Sequence, residues 1–228
     1  MIAHRLAVGM LALAAAPTFA AERSYTVGSF DRLAVAGSSD VAVTTGKAIS
    51  VRASGDEAAL DKLEITVENG TLQVRNKSRY GMNWGGNAKT RVVITVPMLR
   101  TTDVAGSGNV TVDRIDTPDF TASVSGSGGL NLPKLTTAKS RFSVAGSGNV
   151  SAAGTSTETK ASVAGSGNLN IPGLKSSVLS ASVSGSGSVD AFATTTASVS
   201  VAGSGDVRVR GGARCAISKS GSGSVDCG

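Results

Sequence analysis

The chain has 228 residues, with 22 lysines and arginines against 16 acidic residues, and a single histidine, His4. Aromatic residues make up only 4% of the sequence and there are 29 glycines, so any core must be built from small side chains packed closely together. This composition favours a repetitive all-β protein. Once His4 is lost with the leader described next, no histidine is left for Ser-His-Asp or Cys-His catalysis or for a typical catalytic zinc site.

The first twenty residues have the pattern of a secretory signal peptide. His4 and Arg5 precede the apolar run LAVGMLALAAA, and the segment ends in the small-residue pattern PTFA. We therefore predict a signal peptide over 1–20, cut after Ala20, and a mature chain exported to the periplasm, the cell surface or the medium. No later segment approaches the roughly 20 apolar residues that a membrane-spanning helix needs, so the mature chain is expected to have no transmembrane segment.

Residues 24–100 are predicted to form the N-terminal coils and cap of a longer repetitive structure. The segments 30–37 and 40–43 resemble a degenerate first copy of the repeat found further along the chain. Residues 56–63 predict a short helical turn, and the pair Asn69-Gly70 predicts a hairpin. A last strand is expected over 91–97. Together these elements can cover the open end of a stacked β-structure, which otherwise exposes unpaired backbone groups.

One segment inside this region, residues 75–91, is unlike the rest of the chain. It contains five cations, no acidic residue and two aromatic side chains, and the candidate binding residues are Arg75, Lys77, Arg79, Tyr80, Trp84, Lys89 and Arg91. Aromatic rings beside cations favour glycans or anionic envelope polymers as partners, and no specific nucleic-acid partner is expected. The alternative is that Trp84 covers the end of the rod while the charges are solvated.

Residues 101–228 carry seven Gly-Ser-Gly triplets at a period near twenty residues, which is typical of a solenoid. A valine precedes most triplets by two residues and a valine or leucine follows each by two. On a strand these two apolar columns lie on the same face, so both are expected to point inward. We predict an all-β, single-stranded parallel β-helix with about 19–20 residues per coil. A right-handed sense is preferred, because parallel crossovers are right-handed in the great majority of cases.

The triplet itself is interpreted as a corner of the coil and not as a ligand site. A dinucleotide loop needs a third glycine five residues after the first, and none of the seven copies has one. Glycine reaches backbone angles closed to other residues, and the triplet serines are expected to stack as a hydroxyl ladder. The residue after each triplet is expected to hydrogen-bond its own backbone at the turn.

The two cysteines, Cys215 and Cys227, are predicted to form a disulfide that fixes the C-terminal end of the fold. An exported chain meets an oxidising compartment, where such a pair normally closes. No metal site and no cofactor are expected.

The sequence predicts a protein that is not an enzyme, although one enzymatic alternative remains. Some β-helix lyases act on polysaccharides with lysine or arginine as the base, and the best acidic cluster for such a site is Asp113, Asp116 and Asp119 around Pro118. A turn explains this spacing more simply. A purely structural part of the envelope is the third possibility.

The mature sequence resembles the head GIN domain family of putative autotransporter adhesins, whose members carry Gly-Ser-Gly-Asn-Val repeats on an exported chain. The likeness runs from Phe30-Asp-Arg-Leu33 and Asp40-Val41 through Leu72-Gln-Val74 to the seven triplets. The resemblance implies one GIN-type domain over 21–228, with a β-helix fold of the pectate-lyase type, no recognised catalytic residues, and a role in adhesion or cell-envelope interaction.

Overall fold

The structure is a computed structural model that describes residues 21–77 and 90–228, so the predicted signal peptide lies outside the described residues. The first half of the chain contains strands β1 Ala21–Tyr25, β2 Arg32–Gly37, β3 Asp40–Thr45 and β4 Ser50–Gly55, helix α1 Glu57–Lys62, and strands β5 Leu63–Glu68, β6 Thr71–Asn76, β7 Arg91–Val96, β8 Thr101–Gly106, β9 Asn109–Val112 and β10 Ile115–Asp116. The second half contains β11 Asp119–Gly126, β12 Gly129–Gly146, β13 Asn149–Gly165, β14 Asn168–Gly185, β15 Ser188–Gly203, β16 Asp206–Arg210, β17 Arg214–Ser220 and β18 Val225–Cys227.

The repeats form stacked parallel coils, which confirms the predicted all-β parallel β-helix. Val144 lies beside Val124 on one side and Val163 on the other, so neighbouring coils are offset by 20 and 19 residues in the middle of the rod. The two last coils are shorter, since Val183 pairs with Val201 and Val201 with Lys219. Equivalent residues of successive coils therefore stack directly on one another, about 4.8 Å apart.

The two apolar columns of the repeat point into the rod, as predicted. The column before the triplets is buried from Val104 to Val201, and the column after the triplets is buried from Val110 to Val207. Phe120 and Phe142 supply the largest buried side chains of the repeat region. Burial of each valine or leucine contributes roughly 1.5–3 kcal/mol, so the stacked columns are the main source of stability in the rod.

The N-terminal end of the rod is built from strands that are out of sequence order. Strands β6 and β7 pair with β2 and β3, which in turn pair with β8 and β9, so β6 and β7 lie outside β2 and β3 in the stack. Antiparallel strands then cover this end: β5 lies on β6, β4 on β7, and β1 on β4. The hairpin between β5 and β6 turns at Asn69-Gly70, both with positive φ, as that residue pair predicts.

The C-terminal end of the rod is held by the predicted disulfide. Cys215 in β17 and Cys227 in β18 are bonded, with their Cα atoms 6.6 Å apart. Both side chains continue inward columns, because Cys215 stacks on Ala197 and Cys227 on Val209. The disulfide therefore spans the end of the apolar core, as expected. Over the described ranges 21–77 and 90–228, no helix has the length and apolar character needed to cross a membrane.

A chain of buried hydroxyl groups runs along the inside of the rod, away from the Gly-Ser-Gly triplets. The Ser140 hydroxyl lies 3.0 Å from that of Ser156 and 2.9 Å from that of Thr159, and the Thr159 hydroxyl lies 2.6 Å from that of Ser176. All four residues are buried. Each hydroxyl can both donate and accept, so the groups satisfy one another across three coils without water.

Removing the central hydroxyl of this chain is expected to destabilise the rod. Thr159→Val keeps the shape of the side chain but leaves Ser176 and Ser140 each without one buried partner, which costs about 1–3 kcal/mol. The measurement is the free energy of unfolding from denaturant titration. Thr155→Val, at an exposed position of the same strand, is the matched control and should change the free energy by less than about 0.5 kcal/mol. Equal effects of the two substitutions would show that the buried chain contributes nothing.

A candidate binding face along the rod

The Gly-Ser-Gly triplets form one corner of every coil, and backbone atoms alone hold these corners together. The first glycine of each triplet has positive φ, as in Gly146 at 108° and Gly165 at 115°. Its carbonyl accepts backbone N–H groups from the next coil, as where Ser166 donates to Gly146 over 2.9 Å. The triplet serines are exposed and stacked as predicted, but it is their backbone N–H, and not a ladder of hydroxyl groups, that links the coils.

Except in the copy with Gly129, the residue after each triplet bonds through its side chain to an equivalent residue of a neighbouring coil. Nδ2 of Asn168 donates to Oδ1 of Asn149 over 2.9 Å, and the Ser188 hydroxyl donates to Oδ1 of Asn168 over 2.6 Å. Nδ2 of Asn109 donates to Oδ1 of Asp40 over 3.1 Å. The prediction that these residues bond their own backbone is therefore wrong. In a parallel stack the equivalent side chain of the next coil lies closer than any free group of the local turn.

A second polar column runs beside the first, two residues further along each coil. It contains a polar residue in every copy, and the Ser151 hydroxyl donates to Oδ1 of Asn131 over 2.8 Å. Because the residue between the columns points inward, both columns point outward from the same strands. We call this surface the polar face; its members are Asn109, Thr111, Gly129, Asn131, Asn149, Ser151, Asn168, Asn170, Ser188, Asp190, Asp206, Arg208, Ser224 and Asp226.

The polar face forms an open groove of about 760 Å³ that follows the rod axis. Its middle is uncharged and carries amides and hydroxyls, whereas its C-terminal end is charged. There Nε of Arg208 lies 3.2 Å from Oδ2 of Asp226, and Nη2 of Arg210 lies 3.0 Å from Oδ2 of Asp190. The hydroxyl and backbone N–H of Ser224 donate to Asp206 and hold the pKa of that carboxyl below its usual value. The groove can therefore present many hydrogen-bonding groups along one line.

The polar face was not predicted as a binding site, although the pattern of polar residues that forms it is present in the sequence. The third residue after each triplet is polar in all seven copies, while the second is always valine or leucine. That alternation predicts one buried and two exposed columns. It does not by itself show that the exposed columns form a continuous groove.

The neighbouring strands of the coil carry a flatter surface of small side chains. Ser143, Ser162 and Ser182 stack in one outward column, and the outward column beside it consists of alanine and serine. These residues are exposed, and none of them lines the groove of the polar face. This small-residue face serves as an internal comparison for the polar face.

Three of the seven binding candidates in 75–91 lie within the described residues: Arg75, Lys77 and Arg91. They lie at the N-terminal end of the row of corners that the Gly-Ser-Gly triplets form along the rod. Nε of Arg75 lies 3.2 Å from Oε2 of Glu64, and Nζ of Lys77 donates to the Asp61 carbonyl over 3.1 Å. Arg91 begins β7 and is exposed. The chain leaves β6 and returns to β7 at the position where the next coil has its Gly-Ser-Ser corner. The candidates Arg79, Tyr80, Trp84 and Lys89 lie outside the described residues.

The acidic residues of the lyase alternative include one with a clear structural role. Oδ1 of Asp113 accepts the backbone N–H groups of Thr45, over 2.9 Å, and of Arg114, over 2.7 Å. It therefore holds the turn after β9 against β3. In the part of the chain that the structure describes, no group of three or more histidine, cysteine or acidic side chains could hold a metal ion.

Comparison with known families and structures places this architecture among bacterial proteins of the same fold. Residues 29–213 match the family model described as "putative auto-transporter adhesin, head GIN domain". No match was found among curated proteins.

Three solved structures share the fold at low sequence identity. A putative adhesin from Bacteroides fragilis is 23% identical, with a TM-score of 0.84 over 92% of this chain and 97% of that one. A putative adhesin from Parabacteroides merdae is 18% identical, with a TM-score of 0.73 over 93% and 97%. A putative lipid binding protein from Parabacteroides distasonis is 21% identical, also with a TM-score of 0.73, over 93% and 98%. At these identities the likeness shows the fold alone.

Proposed function

Because this chain belongs to the head GIN domain family of putative auto-transporter adhesins, we propose that it is a non-enzymatic exported protein that binds glycans through its polar face. In this proposal the protein acts at the bacterial surface or in the periplasm, where it attaches to a polysaccharide of the envelope or of another cell. The family match supports a surface role. The polar face is the observation that supports a glycan as the partner.

The spacing of the polar face favours an extended, repetitive ligand. Each coil contributes two outward polar side chains, except the coil of Gly129, which contributes Asn131 alone, and each coil repeats after about 4.8 Å. Amide and hydroxyl groups both donate and accept hydrogen bonds, which suits the hydroxyl groups of sugars. A long glycan can therefore bind several coils at once, so that individually weak contacts sum to a useful affinity.

The uncharged middle of the groove favours neutral glycans over strongly anionic ones. Asn131, Asn149, Asn168 and Asn170 carry no charge. At the C-terminal end three carboxylates, those of Asp190, Asp206 and Asp226, face only two arginines, so an anionic polymer gains no net attraction there. Burial of amide groups against sugar hydroxyls replaces their bonds to water, so the net gain is about 0.5–1.5 kcal/mol for each hydrogen bond.

The proposal predicts that loss of two amides from the polar face weakens binding to glycans. Asn131→Ala with Asn170→Ala removes groups that no inward packing requires, and two lost hydrogen bonds amount to roughly a 30-fold weaker affinity. The measurement is binding of the mature chain to a panel of neutral and anionic bacterial and host glycans. Ser143→Ala with Ser182→Ala, on the small-residue face, is the matched control and should bind like the wild type.

Equal affinity of the polar-face variant and the wild type would contradict this proposal. The same panel also tests the second candidate, in which residues 75–91 bind an anionic envelope polymer through their cations and aromatic rings. That candidate is favoured by the exposed position of Arg91 beside the corner of the rod. It predicts that Trp84→Ala, or neutralisation of the cations, abolishes binding to anionic polymers while the polar-face variant binds normally.

A further inference from the structure

The last coil differs from all earlier coils in one inward position. In the column that precedes each triplet by two residues, the inward side chain is valine from Val104 to Val201, but the last coil has Lys219. In the register of the strands, Lys219 stacks directly on Val201. Lys219 is exposed, so its register places a charge at the open end of an otherwise apolar column.

Lys219 donates a hydrogen bond to a backbone carbonyl oxygen that, in earlier coils, accepts an N–H from the next coil. Nζ of Lys219 donates to the carbonyl of Gly223 over 2.8 Å. The equivalent carbonyls of earlier coils accept a backbone N–H from the following coil: Gly128 from Asn149 and Gly148 from Asn168, both over 3.0 Å. No coil follows Gly223 in the described structure, so the lysine supplies the missing donor in the same way that a lysine can satisfy the last carbonyls of a helix.

Apolar side chains and unpaired strand edges at the C-terminal end of the rod would favour the stacking of another chain there if Lys219 carried no charge. Ile217 continues the column of Val199 and Ala181 but is 50% exposed, and Val225 is half-buried. Strands β17 and β18 are edge strands, whose free backbone groups can pair with another chain. The opposite end of the rod is covered by the antiparallel strands β1 and β5, so in the described residues the last coil is the edge at which the parallel stack ends.

We propose that Lys219, together with the Cys215–Cys227 disulfide, stops the C-terminal coil from pairing with the same coil of a second copy of the chain. A charge on an edge strand, in register with an apolar column, must be desolvated before the edge can pair, and this cost opposes association. The disulfide closes the two edge strands over the end of the core. The protein can then have an apolar, β-rich end and still remain monomeric in the oxidising compartment. This proposed role of Lys219 and the disulfide does not depend on the glycan-binding proposal.

The test is sedimentation velocity of the mature chain over a wide range of concentrations. Lys219→Val restores the apolar column and should associate with a self-affinity at least tenfold higher than that of the wild type. Lys219→Gln keeps a side-chain donor for Gly223 but removes the charge, and it should also associate above the wild type. Lys175→Val, at an exposed position in the middle of the rod, is the control for a lost surface charge and should sediment like the wild type.

Two results would overturn the proposal that Lys219 prevents self-association. The first is that both Lys219 variants are folded, as judged by circular dichroism, and remain monomeric at every concentration. The second is that the wild type already associates and that Ile217→Asp abolishes this association, because the end would then be an interface despite its lysine.

Discussion

Gly165→Ala should reduce the free energy of unfolding by about 3 kcal/mol or more, although it adds a single methyl group. Gly165 has a φ of 115°, a region that side-chain-bearing residues rarely adopt. A Cβ at this position would lie 2.6 Å from the carbonyl oxygen of Gly146 in the coil below. The oxygen cannot move aside, because it accepts the N–H of Ser166. The strain must therefore spread into the stacked coils.

The matched control is Ser166→Ala in the same triplet. The serine side chain is exposed, and its link to the preceding coil is made by the backbone N–H, which alanine keeps. We expect its free energy of unfolding to stay within about 0.5 kcal/mol of the wild type. Thermal and denaturant unfolding of the two variants measure the difference. A Gly165→Ala protein as stable as Ser166→Ala would mean that the triplet glycines are not required by the shape of the corner.

Removing the disulfide with Cys215→Ser and Cys227→Ser should reduce the free energy of unfolding by roughly 3 kcal/mol. The cross-link closes a short loop, since the two cysteines are 12 residues apart. It also ties together two edge strands whose inward-column residues are half-buried or exposed, so its loss should fray the last coil first. Denaturant unfolding, together with hydrogen exchange of β17 and β18, measures both effects.

Wild-type protein unfolded in the presence of reductant is the control for the serine substitutions. It should reproduce the loss of stability without any change of side chain. If the oxidised and reduced proteins unfold at the same denaturant concentration, the bond contributes nothing and the end of the rod is held by packing alone.

The repeat region could be predicted well from the sequence because every level of its pattern agrees. The period near twenty, the two apolar columns, and glycine at fixed places each require the same stacked coil. The register of Val124, Val144 and Val163 follows directly from that pattern. The hairpin at Asn69-Gly70 was predictable for a local reason, since both residues tolerate positive φ.

The arrangement of the N-terminal end could not be predicted, because it depends on pairing between distant segments. Nothing in the sequences of β6 and β7 indicates that these strands lie outside β2 and β3. The order of these strands depends on which strand edges are still unpaired when each segment is added. The antiparallel strands β4 and β5 pair with the outer edges of β7 and β6, and β1 pairs with β4.

The candidate site was predictable only in part. The sequence indicated Asn109, Asn149 and Asn168 as turn residues, but their side chains bond to residues at equivalent positions of neighbouring coils. A ladder between coils becomes visible only when the register is known. The cations and aromatic residues of 75–91 stood out by composition, whereas the polar face is formed by ordinary residues at a regular spacing.

The most direct test of the account is a hydrogen-exchange and hydroxyl-radical footprint of the mature chain bound to the glycan that ranks highest in the panel. The account predicts protection of the polar face over 129–131, 149–151 and 168–170, with the small-residue column Ser143, Ser162 and Ser182 unchanged. Protection confined to the small-residue face or to 75–91, with the polar face unchanged, would contradict it.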